Sequence, residues 1–293
     1  MIESLRNKVR DTLAKNKGES ALHHLSEDTF CIKEVDTSEL NETLYMPALC
    51  VVLQGEKQTT LDNRTLQLSD GDSIIISHHV PVYAKITQAS IEAPYMALII
   101  KLDLKIIRSL HFEIEQIIGK QERAFSVDAE KADSALINTI DRFITALEDP
   151  LEAEIIGSSL FKELHLRVLR APHGGMLRQM LSSNSAANNI ARAIKHIRDN
   201  YRTGLLITEV AREVGMSESS FYQKFREITG TTPRQYQKTL RLIEAHSLLT
   251  LEGYSVADAA FAVGYESASH FSKDYSKKFG ISPRDAKSVA TTN

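Results

Sequence analysis

The order of apolar and polar positions changes twice along the chain. Residues 1–20 place Ile2, Leu5, Val9 and Leu13 at spacings of three and four, which predicts an amphipathic helix. From about 28 to 101 the pattern becomes short apolar runs separated by turn residues. Cys50–Leu53 stops at Gly55. Gln58–Leu61 stops at Asp62-Asn63 and resumes as Thr65–Leu68. Asp70-Gly71-Asp72 leads into Ser73–Ser77, and Tyr95–Leu102 closes the series. Strands this short at this spacing predict an antiparallel sandwich or small barrel. Helical periodicity then returns over Leu104–Ile118, over 131–148 with Leu136, Ile140, Phe143 and Leu147 on one stripe, and from Leu151 to about Arg170 with Ile155, Leu160, Leu164 and Val168 on another. Such stripes pack on a core, and a dimer contact is the second reading for one of these helices.

Residues 171–189 read as a connection. Pro172, Gly174 and Gly175 break the helix, and the Ser/Asn/Ala tract from Ser182 to Asn189 has no apolar face. The organisation expected is therefore residues 1–170 as a strand domain with trailing helices, 171–189 as linker and 190–293 as an all-α domain.

That last domain contains an internal repeat. Ile207–Ser217, followed by Glu218–Thr229, Gly230 and Pro233, matches Val256–Ser267, followed by Ala268–Phe279, Gly280 and Pro283; Ala211 aligns with Ala260, Val214 with Val263 and Gly215 with Gly264. A small residue at Ala211 or Ala260 lets two helices cross closely. Glycine at 215 and 264 reaches positive φ where the chain turns out of a helix. Ser217 and Ser267 suit the N-cap of the next helix, which Phe221 and Phe225, or Phe271 and Tyr275, anchor at i, i+4. Helix, glycine-bearing turn, helix is the helix-turn-helix pattern, whose second helix lies in the DNA major groove. Pro233–Leu249 predicts a long helix between the copies, with Tyr236, Leu240, Ile243 and Leu248 apolar and Arg234, Lys238 and Arg241 basic. A rigid connector of this kind sets two reading helices roughly 34 Å apart, one turn of the duplex.

Charge supports that direction. The net charge of −3 divides unevenly: residues 186–293 hold 15 basic and 11 acidic side chains, and the remainder 20 basic and 27 acidic. A basic final third suits a polyanion. An apolar content of 42% excludes a disordered chain, and 13 Gly with 7 Pro in 293 residues exclude a collagen-like one. No apolar run approaches the roughly 20 residues of a membrane span, and no secretory leader is legible at the N-terminus, so no membrane association and a cytoplasmic protein are expected. Two cysteines, Cys31 and Cys50, read as buried free thiols in a reducing compartment.

The strings EVAREVGMSESSFYQKFREITGTTPRQYQKTLRL and AAFAVGYESASHFSKDYSKKFGISPRDA resemble the DNA-binding domain of AraC/XylS transcription regulators. Tyr45–Lys57, Ala93–Asp103 and Ala171–Gln179 resemble the subgroup with a cupin-like N-terminal domain, so the likeness covers nearly the whole chain. The resemblance implies an α+β protein: a cupin-like sandwich or barrel with trailing helices, then two helix-turn-helix units joined by a long helix. It implies promoter DNA as partner, a small-molecule effector in the N-terminal domain, homodimerisation through that domain, and RNA polymerase contact if the protein activates. Carried over position by position, the base-reading residues are Ser219, Tyr222 and Gln223 in the first unit and Ala268, Ser269, Ser272 and Lys273 in the second. Gln bonds adenine bidentately, Ser bonds any base, Tyr packs on a thymine methyl or reaches phosphate, and Lys favours guanine. The second set is poor in strong readers, which predicts more weight on DNA shape and phosphate. Lys224, Arg226, Arg234, Lys238, Lys277, Lys278 and Arg284 are the phosphate candidates.

The adjacent pair His78-His79 invites a metal-cupin reading, but neighbours on a strand point to opposite faces, no HxH with a following Glu occurs, and His23-His24 fails alike. No nucleophile elbow, P-loop or dinucleotide fingerprint is present. No enzyme activity, cofactor or metal is expected. A metal-dependent cupin enzyme with a helical appendage, and a regulator whose N-terminal domain only dimerises or binds a protein, are the alternatives. A barrel can enclose one small ligand; Tyr45, His78, Tyr83, Lys85 and Tyr95 are the lining expected for it.

Overall fold

The structure, a computed structural model, describes residues 1–15, 21–114, 124–182 and 185–290. The chain divides into two compact units, Met1–Asn188 and Asn189–Asn293.

The first unit is built on two antiparallel sheets. One holds β1 (Leu22–His24), β2 (Thr29–Glu34), β4 (Ala48–Gln54), β7 (Asp72–Ile76), β9 (Tyr95–Lys101) and β10 (Val127–Lys131), in the order β1-β2-β9-β4-β7-β10. The other holds β3 (Asn41–Tyr45), β5 (Glu56–Leu61), β6 (Arg64–Leu68) and β8 (Val80–Gln88), in the order β3-β8-β5-β6. The Asp62-Asn63 signal is a two-residue hairpin turn, with Asp62 at φ 50° and Leu61 opposite Arg64. Period-two alternation sorts the large sheet into two faces. Phe30, Ile99, Cys50 and Ile74 lie in one cross-strand row, and Cys31, Leu98, Val51 and Ser73 in the next. The first row faces the small sheet, where the core contains Val52, Ile76, Val82, Ala84, Ile86 and Tyr95. Both faces of the large sheet are covered, which is why Ile74-Ile75-Ile76 and Leu98 to Ile100 are apolar without alternation.

The longer helices of this unit are α1 (Ile2–Lys15), α2 (Leu104–Ile114), α3 (Ser134–Leu147) and α5 (Ser158–Arg170). α1 buries Leu5, Val9 and Leu13 and packs against β4 and α3. The expected continuations to residue 20 and to Ile118 run beyond the described residues. Asp133 caps α3 by accepting the Leu136 amide. The third stripe departs from expectation. α4 (Pro150–Glu152) runs into a π turn at Ala153–Gly157 before α5 begins. A π turn carries an extra residue and rotates what precedes it. Leu160, Leu164 and Val168 are therefore buried, while Ile155 is 63% exposed.

The stretch expected as an open connection is largely folded. Pro172–Gly174 is a 3-10 turn and α6 (Gly175–Leu181) buries Met176, Leu177 and Met180. The apolar i, i+1, i+4 spacing of those three outweighs the two glycines. Residues 183–184 lie outside the described residues, and α7 (Ala186–Asn200) begins inside the expected tract.

The second unit contains α7 from Asn189 onward, α8 (Ile207–Glu213), α9 (Glu218–Thr229), α10 (Pro233–Thr250), α11 (Val256–Ala262), α12 (Ala268–Phe279) and α13 (Pro283–Ala290). The four interior helices that start with a side-chain cap do so at Ser217, Thr232, Ser255 and Ser267. Gly230 and Gly280 close α9 and α12 at φ 71°. Phe221, Phe225 and Tyr236 pack edge-on or tilted in the first half, and Phe271, Tyr275 and Tyr265 in the second, all buried.

Candidate nucleic-acid interface and ligand cavity

Both repeats are helix-turn-helix units. The turn after α8 passes through Gly215 at φ 73°, and the turn after α11 through Gly264 at φ 86°. Ala211 and Ala260 are buried at the crossings. A side chain at Gly264 would collide with the Arg202 carbonyl, whereas Gly215 has open space around it.

The buried anchors turn the other side of each second helix outward. On α9, Ser219, Gln223 and Arg226 are exposed and Tyr222 and Lys224 are half-buried. Glu227 lies among them: the Gln223 amide donates to it at 2.8 Å and the Lys224 ammonium pairs with it at 2.7 Å. Those two bonds, Lys224's first, hold the Glu227 carboxyl below its usual range. On α12, Ser269, Lys273 and Lys277 form an exposed stripe at i, i+4, i+8, beside half-buried Ala268, Ser272 and Lys278. The Ser272 hydroxyl donates back to the Ala268 carbonyl at 2.8 Å. His270, 70% exposed at its side chain, shares this face and was missed in the sequence; its i, i+3, i+7 spacing with Lys273 and Lys277 was the available signal.

Arg234 and Arg284 are exposed. Lys238 is engaged internally: it pairs with Asp274 of α12, which also accepts from the Tyr265 hydroxyl at 3.2 Å and faces His270 at 3.6 Å. Arg241 is likewise used, donating to the carbonyls of Tyr201 and Thr203. These two basic side chains fix α10 to its neighbours.

The first unit encloses a cavity of about 220 Å³ between its sheets. Two of the five expected lining residues, Tyr45 and Tyr95, are on its wall. The other three are elsewhere. On β8, Val82, Ala84 and Ile86 point inward, so Tyr83 and Lys85 point out, and Tyr83 is 49% exposed. His78 is in the β7–β8 connection rather than on a strand. It is buried, its Nδ1 at 2.8 Å from the Ser77 hydroxyl and its Nε2 at 3.2 Å from the Ala187 carbonyl. Burial holds its pKa down at about 4. Of the lining residues that the sequence reading missed, the charged one is Lys57, half-buried on β5, whose inward register it shares with buried Thr59. Among the described residues no three His, Cys, Asp or Glu side chains converge on a metal position, and no helix is long and apolar enough to cross a membrane.

Two family models match the chain: an AraC-type transcriptional regulator N-terminus over residues 29–176 and a helix-turn-helix domain over 210–288. The virulence regulon transcriptional activator VirF of Yersinia enterocolitica is 34% identical over 103 residues, covering 34% of this chain and 38% of VirF. The transcriptional activator RhaS of Klebsiella pneumoniae is 32% identical over 113 residues, covering 38% and 41%. The chain thus spans about two fifths of the length of these relatives. ToxT from Vibrio cholerae, in a crystal structure with an unsaturated fatty acid bound, aligns with a TM-score of 0.59 at 10% identity over 91% of this chain and 95% of ToxT, a likeness of fold.

Proposed function

The chain belongs to the AraC family of transcriptional regulators, and on that premise we propose that it is a sequence-specific regulator that binds promoter DNA through both helix-turn-helix units. The observation that carries this is the duplicated unit itself, each copy with its second helix anchored by buried aromatics and its opposite face exposed. Ser219, Tyr222 and Gln223 read bases from α9, while Ala268, Ser269, Ser272 and Lys273 present a smaller set from α12. Lys224, Arg226, Arg234, Lys277, Lys278 and Arg284 contribute phosphate contacts. Lys238 acts chiefly by holding α12 on α10.

The cavity of the first unit takes a small-molecule effector. Such a ligand alters DNA affinity only if it binds two states of the protein unequally. The likeness to ToxT, a protein seen with a fatty acid bound, supports an effector here.

The protein also pairs with a second copy through its first unit. Leu151, Ile155 and Ile156 are 64%, 63% and 43% exposed around the π turn, an apolar surface of the kind dimers cover. Ile155→Glu should convert a dimer to a monomer in sedimentation velocity without changing circular dichroism. An unchanged dimer would place the contact elsewhere. As an activator it would also touch RNA polymerase.

Selection of binding sites from a random duplex pool tests the central reading. A recovered site should exceed unrelated DNA in affinity by about 10³-fold or more, and binding should weaken steeply with salt. Recovery of no consensus would refute sequence-specific regulation.

A further inference from the structure

The polar groups of the β-sandwich cavity are unequal to its walls. Phe30, Ile32, Leu68, Ile74, Ile76 and Ile99 supply an apolar lining from both sheets. Into this lining comes one cation. The Lys57 ammonium sits 5.3 Å from the Tyr45 ring centroid. No carboxylate pairs with it among the described residues. Burial pulls this ammonium toward its neutral form, the Tyr45 oxygen and Cys50 sulfur pull the other way, and the balance lies above the ordinary lysine value. Cys50 supplies no compensating anion, because burial pushes its thiol up to about 11.

A second group is left open. Tyr95 is 1% exposed and lines the same cavity, yet among the described residues its hydroxyl forms no hydrogen bond. The Tyr45 hydroxyl is shared with Thr59 at 3.2 Å. A half-buried ammonium without a counter-ion and a phenol hydroxyl without a partner thus line one cavity, and a group with two acceptor oxygens and a negative charge suits both.

We propose that the cavity binds a small monocarboxylate with an apolar body, its carboxylate on Lys57 and the Tyr95 hydroxyl and its hydrocarbon against the isoleucines. The size follows from the volume. About 220 Å³ equals roughly seven waters at about 30 Å³ each, and a bonded molecule packs more closely than water, which leaves room for on the order of ten heavy atoms. A medium-chain aliphatic acid and a phenyl-substituted short acid both meet that description. A sugar does not, since its hydroxyls would face isoleucine. The inference rests on the effector reading given above and narrows it to one ligand class.

Calorimetry on the full chain with sodium octanoate and octanamide decides it, with 3-phenylpropanoate and L-arabinose as further arms. Octanoate, 3-phenylpropanoate or both should bind, octanoate more tightly than its uncharged amide by about tenfold. In Lys57→Met the carboxylates should lose about tenfold in affinity and octanamide should not. Should Lys57→Met fail to fold, the octanoate–octanamide comparison on the unaltered chain carries the test alone. Equal binding of acid and amide, or binding of L-arabinose in place of both acids, would overturn the carboxylate class and leave the cavity an effector site. Silence from all four probes and from a neutral fragment library would overturn the class and the effector reading together.

Discussion

Lys273 stands on the most exposed line of α12 with no ion pair of its own among the described residues, and its neighbours Ala268, Ser269 and Ser272 offer little hydrogen bonding. Lys273→Ala should therefore cost about 1–3 kcal/mol on a selected site and much less on unrelated duplex, read by fluorescence anisotropy. Equal losses on both would make it a phosphate contact. The glycines of the two turns allow a sharper comparison. Gly215→Ala meets only the strain of positive φ, about 1–2 kcal/mol. Gly264→Ala meets the same strain and the Arg202 backbone as well, so its melting temperature should fall clearly further. Equal shifts would mean the second turn has room that the structure denies. Both glycines were legible in the sequence because positive φ after a helix is a local demand. The role of Lys238 was not, because its partner Asp274 is brought to it only when α12 docks on α10, 36 residues away.

Among the elements, helices with a single stripe were readable and strands with ambiguous alternation were not. β8 runs VPVYAKITQ, where apolar residues continue through the outward positions, and Tyr83 and Lys85 could not be assigned a face until the pairing with β3 and β5 was known. Lys57 escaped for the opposite reason, since β5 runs EKQTTL and is polar on both faces. β10, with the sequence VDAEK, carries almost no strand signal and is held by pairing with β7. The π turn displaced Ile155 because periodicity alone cannot reveal an inserted residue. Burial of the β7–β8 connection gives a prediction at this scale. His78 holds a pKa of about 4 in the fold against an ordinary 6.5. Above 6.5 both folded and unfolded chains carry it neutral. As pH falls from 6.5 toward 4 the unfolded chain takes up the proton and the folded chain does not, so stability falls. The burial of His165 and His173 acts in the same direction. Urea unfolding should show lower stability at pH 5 than at pH 7, and His78→Gln should reduce the difference. An identical difference in the variant would remove His78 from the account.

At the scale of the whole molecule, the uneven charge was readable from counts alone, and so was the division into a strand-rich part and a duplicated helical part. The resemblance to a regulator family rested on strings that the structure then folds into two complete helix-turn-helix units. The proposed base reading by both units is a matter of spacing, since the long helix α10 connects them with 18 residues. Hydroxyl-radical footprinting of the full chain on its selected duplex measures that spacing directly. The account predicts two protected segments about one helical turn apart, roughly 34 Å, and loss of tight binding when about five base pairs are inserted between them. A single protected segment, with affinity indifferent to the insertion, would contradict it.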